Sequence, residues 1–207
     1  MDLDKIYRNT PLNKIPWNYE TPPDSLVDLV NRGVIKPCKA VDFGCGIGSY
    51  AIYFATEGFD VTGIDISPSA ISLAKKRAIE KGMKCNFIVA DITGKLEEFE
   101  DKFDFAYDWE LLHHIFPEKR KQYVENVYKF LKLKAKYLSV CFSDKDPCFG
   151  GQKKYRETPL GTILYFSSKE ELKALFKPYF RIIKLKTIEI RGKPIPHIAN
   201  YAFMERK

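Results

Sequence analysis

The stretch VDFGCGIGSYAIYFA, Val41 to Ala55, constrains the fold more than any other part of the chain. A short apolar run ends in three glycines at alternate positions, Gly44, Gly46 and Gly48, and passes at once into a run with helical spacing. A strand that turns this tightly into a helix needs left-handed backbone, which glycine adopts without a Cβ penalty. The strand–helix alternation then repeats down the chain. Strands are expected at Lys39–Phe43, Phe59–Ile64, Cys85–Ala90, Phe103–Tyr107 and Lys136–Phe142. Helices are expected at Ser49–Glu57, closed by Gly58, at Ser69–Lys81 behind a Ser67-Pro68 cap, and at Pro117–Leu131. Ser168-Lys-Glu-Glu171 has the capping-box pattern ahead of Leu172–Phe176. Two alternating runs, Phe180–Ile190 and His197–Met204, have no helix between them and read as an antiparallel hairpin. The expected fold is α/β: a doubly wound, mainly parallel, seven-stranded sheet covered on both faces, with that hairpin at one edge.

In such a sheet the ligand crevice lies beyond the carboxyl ends of the strands, where the glycine turn stands. Asp42, Asp65 and Asp91 sit at the ends of strands one, two and three. A carboxylate about twenty residues after the turn is suited to the hydroxyls of a ribose. The dinucleotide pattern GxGxxG is broken, since Ser49 holds its sixth position, and no GxxxxGK[ST] phosphate loop occurs. An adenosyl ligand without phosphates remains.

Composition narrows the classes further. With 45% hydrophobic and 29% charged residues the chain is an ordinary globular protein, and no apolar run reaches the ~18 residues of a membrane span. The segment MDLDKIYRNTPLNKIP lacks the apolar core of a secretory signal, so a cytoplasmic location is expected. Five scattered cysteines without a CxxC pair read as reduced thiols. The net charge of +7 is spread along the chain rather than gathered in a block, which reads as solvated surface. One domain is expected over residues 1–207, with 1–37 as an arm covering the site and 143–162 as a lid-like insert.

VDFGCGIGSYAIYFA, GIDISPSAI, VADIT and FDFAYDWELLHHI together resemble the successive motifs of class I S-adenosylmethionine-dependent methyltransferases, whose fold is Rossmann-like. The resemblance implies S-adenosyl-L-methionine as cofactor. It sets Gly44, Cys45, Gly46 and Gly48 of the turn, with Asp42, against the methionyl and ribose part. Asp65 falls on the ribose hydroxyls, Asp91 on the adenine amino group, and Ile66 and Ile92 on the adenine faces. Pro16-Trp17 and the stretch DWELLHHIFPEKRKQY, with Asp108, Pro117, Arg120 and Tyr123, are similar to the thiopurine, thiol and tellurite branch. That branch often has Asp-Arg where this chain has Asp108-Trp109.

Methyl transfer from a sulfonium is an in-line displacement, so the protein's task is to align the acceptor and exclude water. Trp17 and Trp109 are candidates to contact the sulfonium or an apolar acceptor with their ring faces. His114 is the candidate proton acceptor, and Asp108, ending strand four within the expected crevice, is a candidate catalytic and cofactor-binding residue. Tyr155 and Arg156 in the insert are candidates for acceptor binding, Arg156 by stabilising a thiolate. No metal is expected, because adjacent His113 and His114 lack helical ligand spacing. The favoured function is methyl transfer to a small-molecule acceptor, a thiol or other soft nucleophile. RNA or protein methyl transfer and non-catalytic binding of the cofactor stand as alternatives. Nucleic acid is not favoured as a partner, no membrane is expected, and the chain is read as a monomer or homodimer.

Overall fold

The computed structural model describes residues 3–94, 96, 99–192 and 195–207. Seven strands form one sheet in the order β3-β2-β1-β4-β5-β9-β8. Strands β1 (Lys39–Phe43), β2 (Asp60–Asp65) and β3 (Asn86–Val89) are parallel neighbours. Beyond β4 (Phe103–Trp109) and β5 (Leu131–Phe142), the long strands β8 (Phe180–Ile190) and β9 (His197–Arg206) pair antiparallel, and β9 also runs antiparallel to β5. The expected doubly wound sheet with its terminal hairpin is therefore present. By packing, the chain divides into two compact units: one runs to Ile92 and takes in Phe103–Tyr107, and the other comprises Thr93–Lys102 and Asp108–Lys207.

The first unit is built on β1 to β3. Helices α3 (Ser49–Thr56) and α4 (Pro68–Glu80) follow β1 and β2. Gly48 caps α3 at φ +75°, and a Cβ there would come within 2.7 Å of the Phe87 ring, so both torsion and space require glycine. Ala51, Ile52 and Phe54 bury the inner face of α3, and the Phe54 ring lies 5.8 Å from Phe105 and 4.9 Å from Tyr107. Burying each large apolar side chain contributes about 1.5 to 3 kcal/mol, which explains why so short a helix holds. The cap of α4 is the expected one: the Ala70 amide donates to Ser67 Oγ at 3.1 Å, and Pro68 occupies the first turn. Two further helices, α1 (Leu3–Asn9) and α2 (Asp24–Asn31), lie within the expected arm.

In the second unit α5 (Pro117–Phe130) runs straight into β5, five residues earlier than the alternation of Lys136–Phe142 implies. The LKLKA segment alternates apolar and charged residues but its burial does not follow, since Leu133 is exposed between buried Leu131 and Ala135, and Lys134 takes a positive φ of 65°. A small sheet of β6 (Tyr155–Glu157) and β7 (Ile163–Tyr165) occupies the insert. Helix α6 (Lys169–Phe176) carries the full capping box, with the Glu171 amide on Ser168 Oγ and the Ser168 amide on Glu171 Oε2.

Candidate active site

The glycine turn and Asp65 meet within the first unit. Gly44, Gly46 and Gly48 all have left-handed backbone, at φ 70°, 52° and 75°. The Gly46 amide donates to Asp65 Oδ2 and the Ser67 amide to Asp65 Oδ1, each at 2.8 Å. A carboxylate has about four lone-pair positions, so acceptor capacity remains for a ligand's hydroxyls beside the backbone amides, the Ile66 amide included. Burial raises the Asp65 pKa, and the Ser67 and Gly46 amides oppose that rise by favouring the charged form. Ile66, next in sequence, is 54% exposed, an apolar wall facing outward. Asp91 is exposed and Ile92 is buried. Asp42 is buried at the end of β1; burial first, and the nearby Asp42 second, raise the pKa of the Tyr107 hydroxyl and the Cys45 thiol.

The Cys45 thiol is buried against β2, 2.9 Å from where a Cβ on Gly63 would sit, and lies 3.7 Å from the Gly46 carbonyl of the turn.

The arm brings in two residues that sequence reasoning missed. Tyr7 Oη lies 2.8 Å from where a Cβ on Gly46 would stand, and the Trp17 Nε1–H donates to that hydroxyl at 2.9 Å. Their rings meet edge to face at 6.4 Å. Asp4 Oδ1 accepts from Ser67 Oγ and the Ser69 amide, which adds a carboxylate to the N-terminus of α4. Those bonds, Ser67 first, hold the Asp4 carboxyl at about 2. An acid 63 residues before the helix it caps has no local pattern to reveal it.

At the end of β4, in the second unit, Asp108 and Trp109 differ from expectation. Asp108 is fully buried, and its carboxylate accepts from Tyr123 Oη at 2.9 Å, Ser139 Oγ at 3.1 Å and Tyr137 Oη. Burial pushes its pKa up to about 6 against those hydroxyls. Trp109 is 8% exposed. Both residues are buried because β4 is a central strand, which leaves neither of its faces to solvent. Asp108 is thus an internal hydrogen-bond hub rather than a ligand contact.

Arg120 and Tyr123 of the branch-like stretch support this region from behind. The Arg120 guanidinium donates to Ile115 O, Leu112 O and Ser167 Oγ, fixing the 3-10 turn Leu112–His114. His113 is buried, stacked on Phe142 at 4.1 Å, with its Nδ1 accepting from the Phe142 amide. His114 keeps partial exposure, and burial lowers its pKa to about 4.

The insert is tied down by the residue expected to bind acceptor. Arg156 is 2% exposed and donates to the carbonyls of Lys153, Asp146, Cys148 and Asp144, while its guanidinium lies 3.8 Å from the Phe166 ring centroid. These bonds occupy four of its five N–H donors and hold the guanidinium among the insert's own carbonyls. Arg156→Ala should destabilise the protein by about 2 to 3 kcal/mol and leave cofactor affinity within threefold, as read by urea unfolding and calorimetry. Tyr155, 47% exposed and edge-on to Tyr165, remains at the surface. Asp146, Cys148 and His197 bring a carboxylate, a thiol and an imidazole within 4.8 Å of one another. Asp146 already accepts from the Cys148 and Ile198 amides and faces His197 Nδ1 at 3.2 Å, so this group closes on itself. No helix among the described residues is long and apolar enough to cross a membrane.

Residues 40–134 match the family described as a methyltransferase domain. Over 128 residues, 61% of this chain, the sequence is 30% identical to 56% of a 2-heptyl-1-hydroxyquinolin-4(1H)-one methyltransferase of Mycobacteroides abscessus. A solved structure described with the conversion of a disulfide bond into a thioacetal group during echinomycin biosynthesis aligns at TM-score 0.84. It shares 25% identity and covers 99% of this chain and 91% of its own. The 1,6-didemethyltoxoflavin-N1-methyltransferase of Burkholderia thailandensis, solved with 1,6-didemethyltoxoflavin and S-adenosylhomocysteine, shares the fold at TM-score 0.76 and 19% identity, covering 100% of this chain and 86% of its own. The chain is therefore similar to a methyltransferase domain over residues 40–134. It spans about half or less of the curated relatives it matches.

Proposed function

We propose that the protein transfers a methyl group from S-adenosylmethionine to a small molecule through a soft nucleophile, most directly a thiol. The observation that carries the reading is the Asp65 carboxylate, held by the Gly46 and Ser67 amides at 2.8 Å beside a left-handed glycine turn. When bound, the cofactor supplies an electrophilic methyl on a sulfonium sulfur. Asp65 would receive the ribose hydroxyls, the exposed Ile66 would cover one adenine face, and Asp91 would accept from the adenine amino group. Tyr7 and Trp17, joined by their hydrogen bond, would close the glycine turn from the arm and keep water from it.

The thiol assignment draws support from the solved relative whose description concerns sulfur chemistry, and from the Pro16-Trp17 and Asp108–Tyr123 stretches that resemble the sulfur-methylating branch. A thiol near pKa 8.5 already holds a few per cent thiolate at neutral pH, so methyl transfer to it needs no strong general base. The test is the initial rate of methyl transfer from labelled S-adenosylmethionine to matched thiol, phenol and amine acceptors and to a structured RNA. The thiol should be methylated at least tenfold faster than the others. Faster transfer to the amine or the RNA would overturn the sulfur assignment, and no transfer to any acceptor would overturn the reading itself.

A further inference from the structure

Asp146, Cys148 and His197 gather a carboxylate, a thiol and an imidazole within the second unit, and methyl transfer uses none of them. One ligand atom from each lies within 4.8 Å of the other two. Asp146 and Cys148 stand near the start of the insert and His197 is the first residue of β9, so segments far apart in sequence converge on one point.

Each side chain is aimed by its surroundings. The Asp146 carboxylate accepts from the Cys148 amide at 2.7 Å and the Ile198 amide at 2.5 Å, which fixes it between the insert and β9. Arg156 donates to Asp146 O and Cys148 O and stacks on the Phe166 ring, so this cation braces the Asp-Pro-Cys turn through its carbonyls. The His197 ring packs against Phe142 at 4.5 Å and Phe149 at 5.4 Å, and a Cβ on Gly192 would come within 2.8 Å of its Cδ2 edge. Phe149 takes left-handed backbone at φ 54°, followed by Gly150 and Gly151 at φ 86° and 70°, so the chain winds back tightly after Cys148. Supporting groups of this kind orient the ligands of a metal.

The contact between Asp146 and His197 is the informative one. Oδ2 and Nδ1 lie 3.2 Å apart, longer than the ~2.7–2.9 Å of a charge-assisted hydrogen bond. With Zn–N and Zn–O lengths of about 2.0–2.1 Å, a nitrogen and an oxygen bound tetrahedrally to one zinc ion are separated by ~3.3 Å, close to that distance. The Cys148 thiol faces the same carboxylate. Asp146 and His197 are buried and Cys148 is half-buried, so an ion reaches the group past the thiol. Asp144, on the same turn, is paired with Lys154 at 3.2 Å and is not counted as a further ligand.

We propose that Asp146, Cys148 and His197 form a three-ligand zinc site that ties the insert to β9, with water in the fourth position. Zn2+ bonds to an Asp146 carboxylate oxygen, Cys148 Sγ and His197 Nδ1; the thiol proton leaves to water, and the imidazole keeps its proton on Nε2. One carboxylate and one thiolate balance the charge of the ion. The donor set selects the metal, because thiolate and imidazole suit zinc whereas magnesium and calcium take oxygen ligands. An Asp-x-Cys pair with a histidine on a distant strand matches no zinc pattern in sequence, so only the fold brings the set together.

The experiment is a zinc titration of the full chain, without methyl donor or acceptor, in competition with a chromophoric chelator. One equivalent should bind with a Kd of about 1 µM or tighter. Cys148→Ser and His197→Gln both keep the backbone amides that hold Asp146, and each should weaken binding by more than the roughly 10- to 100-fold typical of an outer-shell change. Cys38→Ser and Cys85→Ser, at the other half-buried thiols, should leave the affinity unchanged. Cobalt(II) in place of zinc should give a thiolate charge-transfer absorption that Cys148→Ser abolishes. Zinc at a hundred times its Kd should raise the wild-type Tm by about 5 to 10 °C, and the same concentration should raise that of Cys148→Ser by about 1 to 2 °C or less. Excess magnesium should do neither. Where a variant fails to fold, the cobalt spectrum of the wild type decides. Absence of the thiolate band in wild type, zinc binding that Cys148→Ser leaves intact, or loss of binding in Cys38→Ser or Cys85→Ser instead would each overturn the proposal. None of these readouts depends on methyl transfer, so this site and the proposed function fail separately.

Discussion

Asp65→Ala should bind S-adenosylmethionine ten- to a hundredfold more weakly than wild type. The variant removes the acceptor of the Gly46 and Ser67 amides and leaves the ribose hydroxyls unpaired in a partly buried site. Each such loss costs about 1 to 3 kcal/mol, and 1.4 kcal/mol is tenfold in affinity. Thermal stability gives the same result in another form. Ligand at a hundred times the wild-type Kd stabilises the folded state by about 2.7 kcal/mol, a rise in Tm of about 5 to 10 °C for a chain of this size. A hundredfold loss of affinity would leave about 0.4 kcal/mol of that, or about 1 to 2 °C. Asp65→Asn, which keeps one carbonyl oxygen for the amides, should lose less. Calorimetric affinity within threefold of wild type in Asp65→Ala would remove the ribose assignment, whatever happened to basal stability.

A change at Asp108 should act on the fold far more than on the ligand. Asp108→Ala removes the acceptor of three buried hydroxyls, those of Tyr123, Tyr137 and Ser139, of which the two tyrosines still face each other at 3.2 Å, and is expected to cost about 3 to 5 kcal/mol, or about 6 to 20 °C in Tm. The near-isosteric Asp108→Asn gives a sharper pH test. With its carboxyl raised from 3.8 to about 6, the native protein holds this proton where the unfolded chain has lost it. The stability contributed is full below the unfolded value and is lost as pH rises through about 6, up to about 3 kcal/mol in all. Asparagine has no such dependence. The gap between wild type and Asp108→Asn should therefore be widest near pH 4 and narrow by pH 7.5, as followed by urea unfolding at each pH. A gap that widens with pH would mean the carboxylate, not the carboxyl, is the form the hydroxyls stabilise overall.

The sequence carries what local chemistry controls. Gly44, Gly46 and Gly48 announce a left-handed turn because torsion limits any other residue there, and Asp65 announces itself by ending a strand a fixed distance on. The Ser67-Pro68 cap and the Ser168–Glu171 box are equally local, since each satisfies amides within three residues of itself. Strand–helix alternation is legible because burial on both faces makes apolar runs, and helices between them force parallel pairing. Long-range pairing is a different matter. Asp4 meets α4 across more than sixty residues, and Tyr7 reaches Gly46 across thirty-nine, so nothing in their neighbourhoods marks them. Asp108 and Arg156 look like crevice residues in the sequence, yet tertiary packing buries both and gives their charges internal partners. The physical reason is desolvation: a charged group taken from water must find partners, and whether these are ligand atoms or the protein's own carbonyls and hydroxyls depends on which chains of contact close around it. Glu110 is the converse case. Its residue type and spacing carry no motif, and only the folded chain shows its carboxyl at the end of β4, in left-handed backbone and with no hydrogen-bond partner among the described residues.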